Sequence, residues 1–139
     1  MKLQFVHRNG GHTPGDTMVF LPATGVVFTG DVVYVDRILG LHAVSKTKAW
    51  LNSFEALQAL KPKVVVPGHG KITDLAQAER DTGKLLAALR AHMGKAVEAG
   101  TDISTAVKSF DASPFKHLKH VEVWLPQLAN RTYLEMELE

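Results

Sequence analysis

Three short segments bordered by glycine carry the side chains of this sequence that are best suited to bind a metal ion. The segments are Gly11-His12-Thr13-Pro14-Gly15-Asp16, Thr29-Gly30-Asp31 and Pro67-Gly68-His69-Gly70. Each follows a run of β-forming residues, and strand ends at one edge of a sheet are where α/β folds gather functional groups. Glycine beside a ligand lets the backbone approach a small ion without a Cβ clash. The pattern predicts a metal site formed by His12, Asp31 and His69.

The absence of cysteine restricts the chemistry of that site. The sequence contains no cysteine, so a thiolate site and a disulfide framework are both excluded. Imidazole and carboxylate must then hold the metal, and this donor set suits zinc, iron or manganese. Zinc is the ion that we expect first.

Asp16 and the other histidines are open to simpler explanations. The Asp16 carboxylate could orient a metal-bound histidine from behind, or it could stabilise the turn that follows a glycine. A lone histidine is more often a surface or core residue than a ligand. We therefore expect no metal at the remaining histidines, which are His7, His42, His92, His117 and His120.

Short β-runs and longer helical runs must position these residues. Hydrophobic spacing predicts strands near the N-terminus and a switch to 3.6-residue periodicity after Lys46. The predicted strands are Leu3–Val6, Met18–Leu21, Val26–Thr29 with an extension over Val32–Val35, and Val64–Val66; the predicted helices are Thr47–Leu60, Leu75–Glu98, a short one from Thr101 or Asp102 to Phe110, and one from Val121 into the 130s. We expect Pro126 near the first turn of that last helix.

This order predicts an α/β fold with one small mixed sheet and helices on one face. At 139 residues without repeats, the chain is expected to form a single domain over residues 1–139. The formal charge is only +2 and the basic residues are dispersed, so neither nucleic acid nor a membrane surface is expected as a partner. No transmembrane run or signal-peptide pattern is present. We expect a cytoplasmic protein, or a periplasmic one if a segment with a signal precedes Met1.

The three segments, together with Phe28 and Val66 before them, resemble the downstream half of the metallo-β-lactamase superfamily. The resemblance is greatest to its zinc-hydrolase branch, which includes glyoxalase-II-like, quinoprotein-associated and sulfur-oxidation-associated proteins. The ending Asn130-Arg131-Thr132-Tyr133-Leu134-Glu135-Met136-Glu137 is similar to the closing helix of that branch. The resemblance extends from about Gly10 to Glu139 and implies half of an αββα sandwich.

The resemblance implies a role for each candidate ligand. His12 matches the histidine that completes the first metal site, Asp31 the catalytic carboxylate that bridges both metals, and His69 the histidine that completes the second site. In the intact family, two metals about 3.5–4 Å apart activate water and polarise the carbonyl of an ester, thioester or lactam. The family's upstream His-x-His-x-Asp-His motif does not occur in these residues, so a truncated, half-length hydrolase with little or no turnover as a monomer is expected.

Two alternatives to an inactive hydrolase half remain. The chain could be a non-catalytic metal-binding or scaffold module. It could also form a homodimer that rebuilds the sandwich and pools the ligands of two copies. A bare sheet face is expected to supply the dimer interface, with Val19, Leu21, Val26, Phe28, Val32, Val64 and Val66 as its apolar residues.

Overall fold

Four strands and five α-helices form the fold in the computed structural model, which describes all residues from 1 to 139. In chain order they are β1 (Gln4–His7), β2 (Thr17–Leu21), β3 (Val26–Tyr34), α1 (Thr47–Leu60), β4 (Val64–His69), α2 (Leu75–Ala78), a π-helical turn (Glu79–Gly83), α3 (Lys84–Glu98), α4 (Ile103–Lys108), a 3₁₀ turn (Ser113–Phe115) and α5 (Val121–Glu137). No helix combines the length and the apolar character that crossing a membrane would require.

The strands form one sheet in the order β1-β2-β3-β4. The β1–β2 and β2–β3 pairs are antiparallel, whereas β3 and β4 are parallel. Parallel neighbours need a crossover connection, which helix α1 provides here. The mixed sheet expected from the sequence is confirmed.

The two faces of the sheet differ in what covers them. Val6, Met18, Val27 and Val65 face the helices and are buried. On the opposite face, the strand register aligns a row of apolar residues across all four strands, consisting of Phe5, Val19, Phe28 and Val66. Phe5 is 69% and Phe28 47% exposed. The helices therefore cover one face only; the uncovered row is called the open face below.

Val32 was expected on the open face, but it is buried at 1% exposure. The pairing of β3 with β4 shifts between Phe28 and Gly30 and again between Gly30 and Tyr34, and Gly30 has a left-handed φ of 51°. Such a bulge interrupts the alternation of side chains along a strand. The second half of β3 therefore turns Val32 into the core, where its carbonyl accepts a hydrogen bond from Trp50 Nε1 at 2.8 Å.

The predicted helix Leu75–Glu98 is interrupted by the π-helical turn at Glu79–Gly83. A Cβ on Gly83 would overlap the ring of Phe54, so the turn packs directly against α1. It buries Asp81 and Thr82, two polar residues that an uninterrupted amphipathic pattern did not reveal.

Pro126 lies inside α5 rather than in its first turn. This proline is exposed, so water can reach the carbonyl that its missing N–H leaves without a helical partner. The helix thus tolerates Pro126 because this position faces solvent, which hydrophobic spacing alone did not indicate.

Candidate metal centre

His12, Asp31 and His69 come from three elements and lie side by side. His12 lies in the β1–β2 loop, Asp31 follows the bulge in β3, and His69 is the last residue of β4. His12 Nδ1 lies 3.4 Å from Asp31 Oδ2, and His69 Nε2 lies 3.4 Å from Asp31 Oδ1. Each oxygen of the Asp31 carboxylate therefore faces the imidazole of a different histidine.

The loop that carries His12 is fixed from both sides. Gly11 is packed so closely on Trp50 that a Cβ would overlap it. The Ser45 hydroxyl donates to the His12 carbonyl at 2.7 Å, and Lys46 N donates to the Gly11 carbonyl at 2.8 Å. The result is a histidine that is 6% exposed and whose backbone is tied to the start of α1.

Glycine is also required next to His69. A Cβ on Gly68 would overlap the Asp31 carboxylate and the Gly30 carbonyl. The end of β4 can approach the bulge of β3 only because residue 68 has no side chain. This close approach brings His69 within reach of Asp31.

Aromatic rings surround the two candidate histidines. The His12 ring meets Trp50 edge-on at 5.5 Å and His42 edge-on at 4.7 Å between centroids. The His69 ring stacks on Tyr34 at 4.4 Å with 19° between the planes. His42, Tyr34 and Trp50 were not expected at the site from the sequence. The spacing of the sequence contains no signal for them, since their proximity depends on the fold of the loop and on the β3–β4 register.

Burial and charge set the protonation of this cluster. Burial lowers the pKa of His12, against the raising effect of Asp31 and Asp16, and the nearby His42 and His69 lower it further. A neutral imidazole is the form that a metal ion binds. Burial also raises the pKa of Tyr34 to about 12, with the Asp31 carboxylate adding to the effect, so the phenol is neutral.

Asp16 stabilises a turn, which is the second of the two explanations considered for it. Its Oδ2 accepts a hydrogen bond from Thr13 N at 3.0 Å and its Oδ1 accepts one from the Thr13 hydroxyl at 2.7 Å. Neither bond goes to a histidine ring. In this structure the Asp16 carboxylate closes the loop that holds His12 and bonds to no imidazole, and the Asp16 backbone carbonyl pairs with the ring of His7 at 2.9 Å.

The donor chemistry fits a metal, but the number of donors is small. One carboxylate between two imidazoles is a set that zinc, iron and manganese accept. No group of three or more His, Asp or Glu side chains is arranged to hold one ion. If the three side chains were shared between two ions, each ion would have one imidazole and a share of Asp31, whereas a catalytic zinc normally has three protein ligands.

Comparisons with known proteins find relatives of the part of the chain that carries the candidate ligands. The family model described as the metallo-beta-lactamase superfamily matches residues 1–69. A solved metallo-beta-lactamase from Pontibacter korlensis is similar, with 34% identity and a TM-score of 0.56 over 61% of this chain and 41% of that chain. The DIM-1 metallo-beta-lactamase exposed to ceftazidime is 30% identical, with a TM-score of 0.55 over 61% of this chain and 40% of that chain.

These similarities cover less of the chain than the expected range from Gly10 to Glu139. The family match ends at His69, and the chain spans about two fifths of the solved structures that it matches. A comparison with curated proteins gives no match. The shared region includes His12, Asp31 and His69.

Proposed function

Because the chain belongs to the metallo-β-lactamase superfamily over part of that family's length, we propose that it contributes His12, Asp31 and His69 to the two-metal centre of a hydrolase. The observation that supports this role is the division of Asp31 between two imidazoles, with one histidine 3.4 Å from each carboxylate oxygen. His12 would hold one ion, His69 the other, and Asp31 would bridge them.

Each of the three residues has a distinct task in this proposal. His12 is buried beside the Trp50 ring and offers a neutral imidazole nitrogen. Asp31 presents one carboxylate oxygen to each imidazole. His69, whose side chain is 41% exposed, lies on the side from which a substrate can enter. When bound, the two ions lower the pKa of a water molecule and polarise the scissile carbonyl.

We propose a small molecule with an ester, thioester or lactam carbonyl as the substrate. A relative that is 30% identical is named as a metallo-beta-lactamase exposed to ceftazidime, so a lactam is the first substrate to test. Two ligands for each ion fall short of the three that hold a catalytic zinc. For this reason we expect little or no turnover from a single copy of the chain.

A second copy of the chain is the partner that we propose. The open face exposes Phe5 and Phe28 in a row that crosses all four strands. A face-to-face dimer with twofold symmetry would bury this row against itself and bring a second set of three ligands towards the first. An obligate interface of this kind should bury about 2,000 Å² or more in total.

Metal content tests the proposed site directly. The purified chain is loaded with zinc, and its zinc stoichiometry and affinity are measured by elemental analysis and calorimetry beside those of His69→Ala. We expect His69→Ala to lower the zinc content, because one ion loses its only imidazole. His120→Asn is the matched control, since asparagine tolerates the left-handed backbone at that exposed residue. Zinc content that is unchanged in His69→Ala would contradict the site.

A non-catalytic metal-binding module is the second candidate, and the short ligand set favours it. Turnover of a chromogenic lactam and of a thioester by the zinc-loaded, assembled protein separates the two. Turnover that disappears in His69→Ala supports the hydrolase. Stoichiometric zinc without turnover in the assembled protein supports the binding module.

A further inference from the structure

The His69 imidazole rests on a buried aromatic ring. Its side chain is 41% exposed, so a large part of its surroundings is solvent. Tyr34, by contrast, is 2% exposed, and its ring stacks on the imidazole at 4.4 Å and 19°. A stacked neighbour on one face restricts rotation of the imidazole about its side-chain bonds. The Tyr34 ring therefore limits the directions in which His69 Nε2 can point.

Tyr34 is itself held by a single side chain from another element. The Thr82 hydroxyl donates to the Tyr34 carbonyl at 2.6 Å and accepts from the Tyr34 N–H at 3.1 Å. Both backbone groups of Tyr34 are thus satisfied by one buried hydroxyl, at the end of β3 where the regular pairing with β4 is interrupted. A buried backbone donor or acceptor that loses its partner is costly, so this contact restrains the position of Tyr34.

The π-helical turn explains how Thr82 reaches that position. Within the turn, Asp81 and Thr82 are both fully buried. Asp81 Oδ2 accepts a hydrogen bond from Asp36 N at 2.9 Å, next to the bonds between Thr82 and Tyr34. Asp81 and Thr82, which are consecutive in the turn, therefore bond to the backbone at Asp36 and Tyr34. Single π-helical turns within α-helices occur frequently at functional sites.

We infer that Tyr34, fixed by the hydroxyl of Thr82, is a positioning residue that aims the His69 imidazole at Asp31. Neither residue touches a reacting group in this arrangement; both act through His69. The effect on metal affinity rests on the proposed function, whereas the effect on the orientation of the imidazole does not.

The first test compares two buried threonines. Thr82→Val removes both hydrogen bonds to Tyr34 at nearly constant volume, and Thr82→Ser keeps the hydroxyl. Thr132→Val is the matched control, because the buried Thr132 hydroxyl bonds to the Leu128 carbonyl within α5. The histidine ring resonances of the metal-free protein are followed by NMR. We expect the His69 signals to move in Thr82→Val, to stay in Thr132→Val, and to be restored in Thr82→Ser.

The second test changes the ring itself and remains informative if Thr82→Val does not fold. Tyr34→Phe keeps the stacking surface and should keep the His69 imidazole facing Asp31, whereas Tyr34→Leu should let it turn away. Because loss of an aromatic ring shifts neighbouring resonances by itself, the orientation of the imidazole is read here from nuclear Overhauser contacts and three-bond couplings of His69. Zinc affinity should fall about tenfold in Tyr34→Leu and in Thr82→Val, the lower range for lost support of a metal-bound histidine. Tyr34→Phe and Thr132→Val should retain the zinc affinity of the unchanged protein.

The outcomes separate this inference from the proposed function. A His69 orientation that is unchanged in Tyr34→Leu, or changed as far in Tyr34→Phe as in Tyr34→Leu, would overturn the positioning role. If the unchanged protein binds no zinc, the proposed function fails, but the NMR comparison still decides whether Tyr34 and Thr82 orient His69.

Discussion

At the scale of single residues, the candidate centre depends on the close approach of Gly68 to Asp31. No atom of a side chain fits between the end of β4 and the bulge of β3, because a Cβ on Gly68 would overlap the Asp31 carboxylate. The distance between His69 and Asp31 thus depends on a residue that carries no functional group. Loss of this close approach should therefore weaken metal binding more than it destabilises the fold.

We expect Gly68→Ala to weaken zinc binding at least tenfold and to destabilise the fold by about 1–3 kcal/mol, a usual cost of overpacking. Gly15→Ala is the control, since a Cβ at Gly15 meets nothing within 4 Å. Zinc affinity by calorimetry and the free energy of unfolding in urea check both effects. Full zinc affinity in Gly68→Ala would show that β4 can move away from Asp31 without loss of the site.

The residues of the centre were predictable from the sequence to different degrees. Glycine beside a metal-competent side chain is a local signal, and it identified His12, Asp31 and His69. Tyr34 and His42 gave no such signal, because stacking on His69 depends on the β3–β4 register and proximity to His12 depends on the course of the loop. The two explanations of Asp16 could not be separated without the hydrogen bonds that it makes to Thr13.

At the scale of elements, a carboxylate from the last helix stabilises the start of α1. Lys46 precedes α1 and gives it no side-chain cap. Glu135 of α5 accepts hydrogen bonds from Thr47 N and from the Thr47 hydroxyl, each at 2.9 Å. A carboxylate at a helix N-terminus satisfies free N–H groups and interacts favourably with the helix dipole. α5 therefore fixes the helix that packs on the His12 loop.

Glu135→Gln should lower the free energy of unfolding by about 2 kcal/mol, because hydrogen bonds to a charged group contribute about 1.5–3 kcal/mol. Glu137→Gln, at an exposed position of the same helix, should change it by less than about 0.5 kcal/mol. Urea denaturation followed by circular dichroism measures both. Equal stabilities of the two variants would contradict the capping role of Glu135.

The π-helical turn makes stability depend on acid pH. Burial alone would raise the pKa of Asp81, but hydrogen bonds from Asp36 N, His117, Arg80 and Gln77 together hold it below the ordinary value of 3.8. The ionisable side chains that bond to it are Arg80 from the same turn and His117 from the segment before α5. The ionised carboxylate therefore stabilises the fold above the unfolded pKa, and this contribution is lost as the pH falls through the folded pKa.

Asp81→Asn should be less stable than the unchanged protein at pH 7 and should lose less stability between pH 5 and acid unfolding. Glu55→Gln, at an exposed position of α1, is the control. Urea unfolding at a series of pH values measures the slopes. An acid limb of equal steepness in Asp81→Asn would assign the pH dependence to other carboxylates.

The elements were largely predictable because most are long and regular in period. The helix Thr47–Leu60 was predicted with the bounds that the structure has, and the four strands shifted by a few residues at most. The π-helical turn was missed because it replaces one regular turn inside a helix without a break in composition. The bulge at Gly30 was missed as well, so the placement of Val32 was wrong.

At the scale of the whole molecule, the open face leaves apolar side chains of the sheet exposed to solvent. Phe5 and Phe28 are exposed on strands whose opposite face is buried, and Leu3, just before β1, is exposed as well. Apolar area left in water costs about 25 cal/mol per Å², and several hundred Å² would equal much of the roughly 5–15 kcal/mol by which a domain is stable. A second copy on this face would remove the cost, as proposed above.

Phe28→Lys should weaken self-association at least about tenfold, because each of the two copies loses a phenylalanine whose full burial contributes about 1.5–3 kcal/mol. Val123→Lys is the control, since Val123 is also exposed, at 63%, but lies on α5. Sedimentation velocity at micromolar concentrations measures both. A monomeric unchanged protein at these concentrations would contradict the dimer.

The crossover through α1 also has a consequence for the order of folding. β1, β2 and β3 pair with their neighbours along the chain, whereas β4 can pair with β3 only after the intervening helix has folded back. Contacts between distant parts of a chain form later, because the entropy of loop closure must be overcome first. His12 and Asp31 can meet in the early hairpins, but His69 arrives with β4. Zinc should therefore slow unfolding in stopped-flow measurements and leave the folding rate nearly unchanged, since the complete set of ligands forms after the rate-limiting step.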